Sequence, residues 1–168
     1  PPNDIERVED ILGSDPDISC VIVEPTGASF GTIPTRPGFL NELREITRKH
    51  DVLLVFDEVI TGFRCSPGGA QAHFNISPDL TSLAKILSGG LPGGALVGRK
   101  DILELLEFRG DREWDFCRKM PHQGTFNANP VSAAAGIATL KAIESGEPNR
   151  QADKNAEFLR KHLNDVIR

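Results

Sequence analysis

Two short apolar runs, CVIV at Cys20–Val23 and VLLVF at residues 52–56, each stop at carboxylates: Glu24 after the first, Asp57 and Glu58 after the second. Runs of four or five aliphatic residues bounded by polar ones read as strands, and their continuous apolar character is that of strands buried in a parallel sheet. Between them Phe39, Leu40, Leu43 and Ile46 recur at helical spacing after Pro37, a residue suited to a helical first turn. The pattern predicts a βαβ unit. In open α/β sheets ligands gather beyond the carboxyl ends of the strands, which is where Glu24 and Asp57 fall.

The rest of the chain extends this plan. Residues 4–12 form an acidic helical opening, Pro78 and Asp79 introduce a third strand at Leu80–Leu83, and residues 95–97 suggest a fourth. Lys85 and a segment with four glycines among residues 89–94 lie between the last two, a loop that calls for unusual backbone freedom. Asn129 and Pro130 start a helix predicted to bury Val131, Ala134, Ala138 and Ile143, whereas residues 104–123 show no period and read as a long excursion. The expected fold class is α/β, a three-layer α/β/α arrangement on a mostly parallel sheet, with residues 1–168 as a single unit. The only methionine is Met120, and EFLRKHLNDVIR at residues 157–168 is an amphipathic helical pattern with no terminator, so the chain is expected to be a piece of a longer polypeptide.

Composition narrows the function classes. With 19 Lys+Arg against 24 Asp+Glu the formal charge is −5, and 39% of the residues are hydrophobic, which points to an ordinary globular unit and away from disorder or a nucleic-acid footprint. Cys20, Cys65 and Cys117 are odd in number and far apart, so neither a disulfide framework nor a metal site is indicated. The longest strictly apolar run has five residues against the roughly 20 of a membrane span, and the first ten residues do not have the pattern of a leader. A cytoplasmic protein without membrane or nucleic-acid partners is expected.

Two residues carry most of the chemical signal. Asp57 ends an apolar strand, so its carboxylate needs a cationic partner or several donors. A Walker B strand, with Asp57 and Glu58 serving a magnesium ATPase, would use it; so would a pyridoxal phosphate site, where an acid holds the pyridine nitrogen protonated. A plainer role is capping a nearby backbone or pairing with Arg64. The ATPase also requires a GxxxxGK string followed by Ser or Thr, which is absent from the 168 residues. Lys85 follows an apolar strand and precedes glycines, a position from which its amine could form a Schiff base, although a solvated surface lysine also fits.

Taken together, EPTGASFGTIP at 24–34, DEVITGFR at 57–64, PDLTSLAK at 78–85 with GGLPGGALVGR after it, and HQGTFNANPVSAAAG at 122–136 resemble the class III pyridoxal-phosphate aminotransferases. The glutamate-1-semialdehyde aminomutase-like branch shares DEV-x-TGFR and the GGAQ at 68–71. The resemblance implies the C-terminal half of a fold-type I large domain, its strand at residues 95–97 antiparallel to the others, with the N-terminal part and the small domain largely missing. It implies that Lys85 forms the Schiff base with pyridoxal 5′-phosphate and moves the proton, and that Asp57 pairs with the ring nitrogen. Val59 and Ile60 would stand against the cofactor, and Thr125 would bind phosphate, typically in the neighbouring subunit of a homodimer. No proton-transfer role falls to Glu24 or His122. The implied reaction passes an amino group from a small-molecule amino donor to an oxo acid. An intramolecular aminomutase is the alternative: Ser29 and Ala128 stand where aminomutases commonly have Asn and Gly, while Ser29 and Ile60 stand where many ω-amino-acid transaminases carry an acid and Gln.

Overall fold

The computed structural model describes residues 2–167. Helix α1 (Ile5–Ser14) starts where the Asp4 side chain accepts from the Arg7 N–H. Strand β1 (Cys20–Val23) follows, then the one-turn helix α2 (Ala28–Gly31) and the short β2 (Ile33–Pro34), which bridges back to Gly27 and Ala28. Helix α3 (Phe39–Lys49) begins after Gly38, so Pro37 lies in the turn before the helix and not in its first turn. Strand β3 (Leu53–Glu58) continues through both acids, and the short helix α4 (Gly69–Phe74) leads to β4 (Leu80–Leu83).

Strands β1, β3 and β4 pair in parallel, and β5 (Ala95–Gly98) closes the edge antiparallel to β4, giving the order β1-β3-β4-β5. This is a mostly parallel α/β sheet, with the antiparallel strand where the resemblance implies one. Alternate residues of β3 settle its faces: Leu54, Phe56 and Glu58 are buried, while Leu53, Val55 and Asp57 are half-buried. The core on the first face joins Leu54 and Phe56 to Phe39, Leu40, Leu43 and Ile76. Each such side chain contributes about 1.5–3 kcal/mol by leaving water. Asp79 buckles this core to the sheet: it accepts from the Leu54 N–H at 2.8 Å, from Arg44 at 2.7 Å and from Arg99 at 3.2 Å.

Two burial expectations are corrected. β1 is parallel but not buried, because it is the edge strand of these residues; Val21 and Val23 pack on the core while Ile22 is 63% exposed. Helix α6 (Pro130–Ile143) starts as expected, with the Asn129 side chain accepting from the Val131 and Ser132 N–H groups, yet among its residues only Gly136 is buried. Val131 is 65% exposed, Ala134 and Ala138 are exposed, and Ile143 is half-buried. The helix is apolar all round, so its sequence offers no preferred face. It packs through its small residues on the tight 3₁₀ turn Lys85–Ser88: a Cβ on Gly136 would come within 2.6 Å of the Leu87 carbonyl.

After β5 comes α5 (Lys100–Leu103), and the excursion of residues 104–123 contains a π-type turn over Trp114–Arg118, with Arg109 stacked 3.6 Å from the Trp114 ring centroid. Helix α7 (Glu147–Ile167) realises the pattern of residues 157–168 up to Ile167; Pro1 and Arg168 lie outside the described residues. Among the described residues, no helix is long and apolar enough to cross a membrane.

Candidate functional site

The parallel register places chemistry at one sheet edge. Val23 stands beside Phe56, and Asp57 beside Ser82, so Glu24, Asp57 and Lys85 all fall at the carboxyl ends of three neighbouring strands. Together with Ser29, Val59 and Ile60 they line a cavity of about 210 Å³. Four of the five residues singled out in the sequence, Lys85, Asp57, Val59 and Ile60, therefore meet in one place. Thr125 does not join them: it is exposed in the turn of residues 125–128 before α6. Larger hollows exist, including one of about 540 Å³ lined by His122, Phe126 and Ser132 and one of about 510 Å³ lined by Lys141 and Glu144 at the end of α6, but the smaller one is where an amine and a carboxylate meet at the carboxyl ends of the strands.

Asp57 is held from two sides. Its Oδ1 accepts from the Val59 N–H at 3.1 Å and from the Ser82 hydroxyl at 3.2 Å. The plain capping role read from the sequence is thus real in part. Arg64 does not pair with Asp57; its Nε–H donates to the Ile60 carbonyl at 3.1 Å. Lys85 takes up a left-handed backbone, φ 51°, at the start of the Lys85–Ser88 turn and is exposed. A non-glycine residue held there costs on the order of 1–3 kcal/mol, a cost concentrated at functional positions. Among the described residues Lys85 and Asp57 form no ion pair with each other, although they share the cavity.

Of the glycines after Lys85, Gly89 and Gly93 stand in tight packing, whereas a Cβ on Gly90 would meet open space. Gly89 has φ 61°, and a Cβ on it would meet Thr139 Oγ1 at 2.5 Å, so this glycine lets the loop close on α6 rather than admitting a ligand. Sequence reasoning missed Ser82, whose only signal is its place two residues after the start of a strand that pairs with β3. It also missed what Glu58 does. That side chain is fully buried on the opposite face of β3 and accepts from Ala70, Gln71 and Thr61. Buried in the core and outside the cavity that Asp57 lines, Glu58 is not placed to act as the catalytic acid that the ATPase alternative requires. Close to Glu58, burial pushes the Cys65 thiol up, and the negative charge of Glu58 adds to the effect.

The model of the family described as Aminotransferase class-III matches residues 3–168. The chain belongs to this family. Among curated class-III relatives, it is 43% identical over 166 residues to a glutamate-1-semialdehyde 2,1-aminomutase of Hyperthermus butylicus, covering 98% of this chain and 37% of that protein. Over 144 residues it is 47% identical to the enzyme of the same name from Thermosipho africanus, covering 85% of this chain and 32% of that one. Among solved structures it resembles an omega-transaminase from Sphaerobacter thermophilus at TM-score 0.73 and 38% identity, over 85% of this chain and 32% of that chain. It also resembles an acetylornithine aminotransferase from Elizabethkingia anophelis at TM-score 0.81 and 29% identity, over 99% of this chain and 40% of that chain. The chain spans a little over a third of the length of the first curated class-III relatives it matches.

Proposed function

We propose that these 168 residues are part of a cytoplasmic, homodimeric, pyridoxal-phosphate-dependent class-III enzyme that moves an amino group from an amino compound to an oxo acid. They would form the C-terminal half of its cofactor-binding large domain. One observation carries the reading: an amine on strained backbone and a carboxylate share one cavity without neutralising each other. At about 210 Å³ the cavity is smaller than the roughly 300–1,000 Å³ of a complete small-molecule site. That is consistent with one wall of a site whose other walls come from elsewhere.

The residues present fit pyridoxal 5′-phosphate. Asp57 would hold the protonated pyridine nitrogen, its Oδ1 already oriented by Val59 and Ser82. Val59 and Ile60 would give the ring an apolar wall, and Lys85 would attach the cofactor through its Nζ. Thr125, outside the cavity in this chain, would bind the phosphate in the partner subunit's site. When bound, the cofactor supplies an electron-withdrawing ring that stabilises negative charge on the substrate carbon. Lys85, which lines the same cavity, would also be the group that carries a proton at its Nζ. Asp57 would hold the proton on the ring nitrogen, with the strand and two donors fixing its orientation.

The deciding experiment is borohydride reduction of the complete polypeptide with bound cofactor, followed by peptide mapping. Label on Lys85 is expected; label on another lysine, or none, ends the reading. Lys85→Ala should cost more than the roughly 10²–10⁴-fold of an ordinary general base, because it also removes the covalent anchor.

A second reading, intramolecular transfer, is favoured by the names of the curated relatives. Against it stands Ser29, which lines the cavity where aminomutases commonly have Asn. The pyridoxamine form of the complete protein, given glutamate-1-semialdehyde and no oxo acid, separates the two. Sustained turnover establishes the mutase, whereas turnover only of an amine with an oxo acid establishes the transaminase.

A further inference from the structure

Glu58 follows Asp57 in the chain but serves the other face of the sheet. It is fully buried, and its partners are neutral: the Ala70 N–H at 2.5 Å, the Gln71 N–H at 3.0 Å and the Thr61 hydroxyl at 3.1 Å. Among the described residues no cation pairs with it. Burying a carboxylate this way costs more than burying an apolar residue of its size, so stability is a poor explanation for its presence. The surroundings are shaped to it: Gly69 has φ 71°, and a Cβ there would stand 2.5 Å from Glu58 Oε2.

What these bonds hold is the turn of residues 59–64. Glu58 closes it through its carbonyl, which accepts from the Gly62 N–H at 2.9 Å, and through its carboxylate, which takes the Thr61 hydroxyl; Thr61 in turn accepts from the Arg64 and Cys65 N–H groups. On the cavity side the same turn is held by Asp57 Oδ1 at Val59. The turn is thus fastened between two adjacent carboxylates, one facing the cavity and one facing the core. Val59 and Ile60 are the residues it delivers to the cavity.

We propose that Glu58 is a positioning residue for the site: by anchoring Thr61 and the start of α4 from the core side, it sets where Val59 and Ile60 stand beside Asp57 and Lys85. It does so without touching anything bound there. The proposal rests on the cofactor reading of that cavity.

Two changes test it in the complete protein loaded with pyridoxal 5′-phosphate. Glu58→Gln turns an amide donor toward backbone N–H groups that need an acceptor. Thr61→Val removes one hydroxyl at nearly constant volume, and Thr61→Ser restores it. Three quantities are read: the visible circular dichroism per bound cofactor, the rate of cofactor loss on dilution, and kcat with KM for the amine. The thermal midpoint of the cofactor-free protein is the control for folding. Expected for Glu58→Gln and Thr61→Val are altered dichroism, faster cofactor loss and a kcat lower by about 10–100-fold, since small misplacements in a site have effects of that order. Thr61→Ser should return all three towards the original. Unchanged dichroism, cofactor loss and kcat alongside a lowered midpoint would show a purely structural carboxylate and overturn the proposal. If Glu58→Gln fails to fold, the Thr61→Val and Thr61→Ser pair decides by the same criteria. Failure of the underlying cofactor reading shows separately, as absence of Lys85 labelling in the unmodified protein, and removes the proposal with it.

Discussion

Ser82 stands opposite Asp57 on the neighbouring parallel strand, and its hydroxyl donates to Asp57 Oδ1 at 3.2 Å. Side chains in register on adjacent strands share a face, so the pairing of β3 with β4 aims this carboxylate. A second donor, the Val59 N–H, approaches the same oxygen from the turn beyond the strand. Two donors on one oxygen restrict the side chain to one orientation, which is what an acid that must meet a fixed ring nitrogen requires.

Asp57→Asn in the complete enzyme should retain bound cofactor better than activity, because the amide keeps the shape but supplies no negative charge to a pyridinium. Ser82→Ala should be milder, removing one hydrogen bond to a charged group, worth about 1.5–3 kcal/mol in general. Cofactor content by absorbance, set against kcat, measures both. Equal loss of cofactor and activity in Asp57→Asn would indicate a structural acid.

Asp79 predicts an acid limit to stability. Burial pushes its carboxyl up, but the Leu54 N–H and the guanidinium groups of Arg44 and Arg99 outweigh that and hold it below its ordinary value of 3.8. A lowered folded-state value means that the stabilisation is complete above the unfolded value and is lost as pH falls through the folded one. Denaturant midpoints should therefore drop below about pH 4. Asp79→Asn should be destabilised by about 3–5 kcal/mol at neutral pH, as expected for a broken buried pair, and should lose part of the acid dependence. An acid profile identical to that of the unmodified protein would refute the assignment.

Ala128 has φ 56°, in the left-handed region. An L-residue pays roughly 1–2 kcal/mol there and glycine does not. Ala128→Gly should accordingly raise stability by about 1 kcal/mol after the extra freedom of the unfolded glycine is allowed for. Chemical denaturation reads this directly, and a loss of stability would mean that the turn of residues 125–128 does not take this conformation.

Thr125 is predicted to serve the partner's site. Subunits inactivated by Lys85→Ala and by Thr125→Ala should regain activity when assembled together, because one of the two sites then receives both original residues. Verified mixed dimers that stay inactive would place Thr125 elsewhere.

Much of the plan was legible in the sequence, for a local reason. CVIV, VLLVF and the residues after Pro78 declare strands by composition alone, and an acid at the end of an apolar run announces a carboxylate at the sheet edge. The place of Lys85 at the same edge was legible in the same way, from the strand before it. Other features depend on residues far apart in the chain. That Glu58 turns into the core while its neighbour Asp57 turns to the cavity follows from the alternation of β3, but its role appears only when α4 brings the Ala70 and Gln71 N–H groups to it. The aim of Asp57 needs Ser82, 25 positions away. Helix α6, apolar on every side, carries no mark of the face that packs; the close approach of Gly136 to Leu87 selects it. Periodicity reports what a residue prefers next to its neighbours, and only register and long-range contact decide which surface it meets.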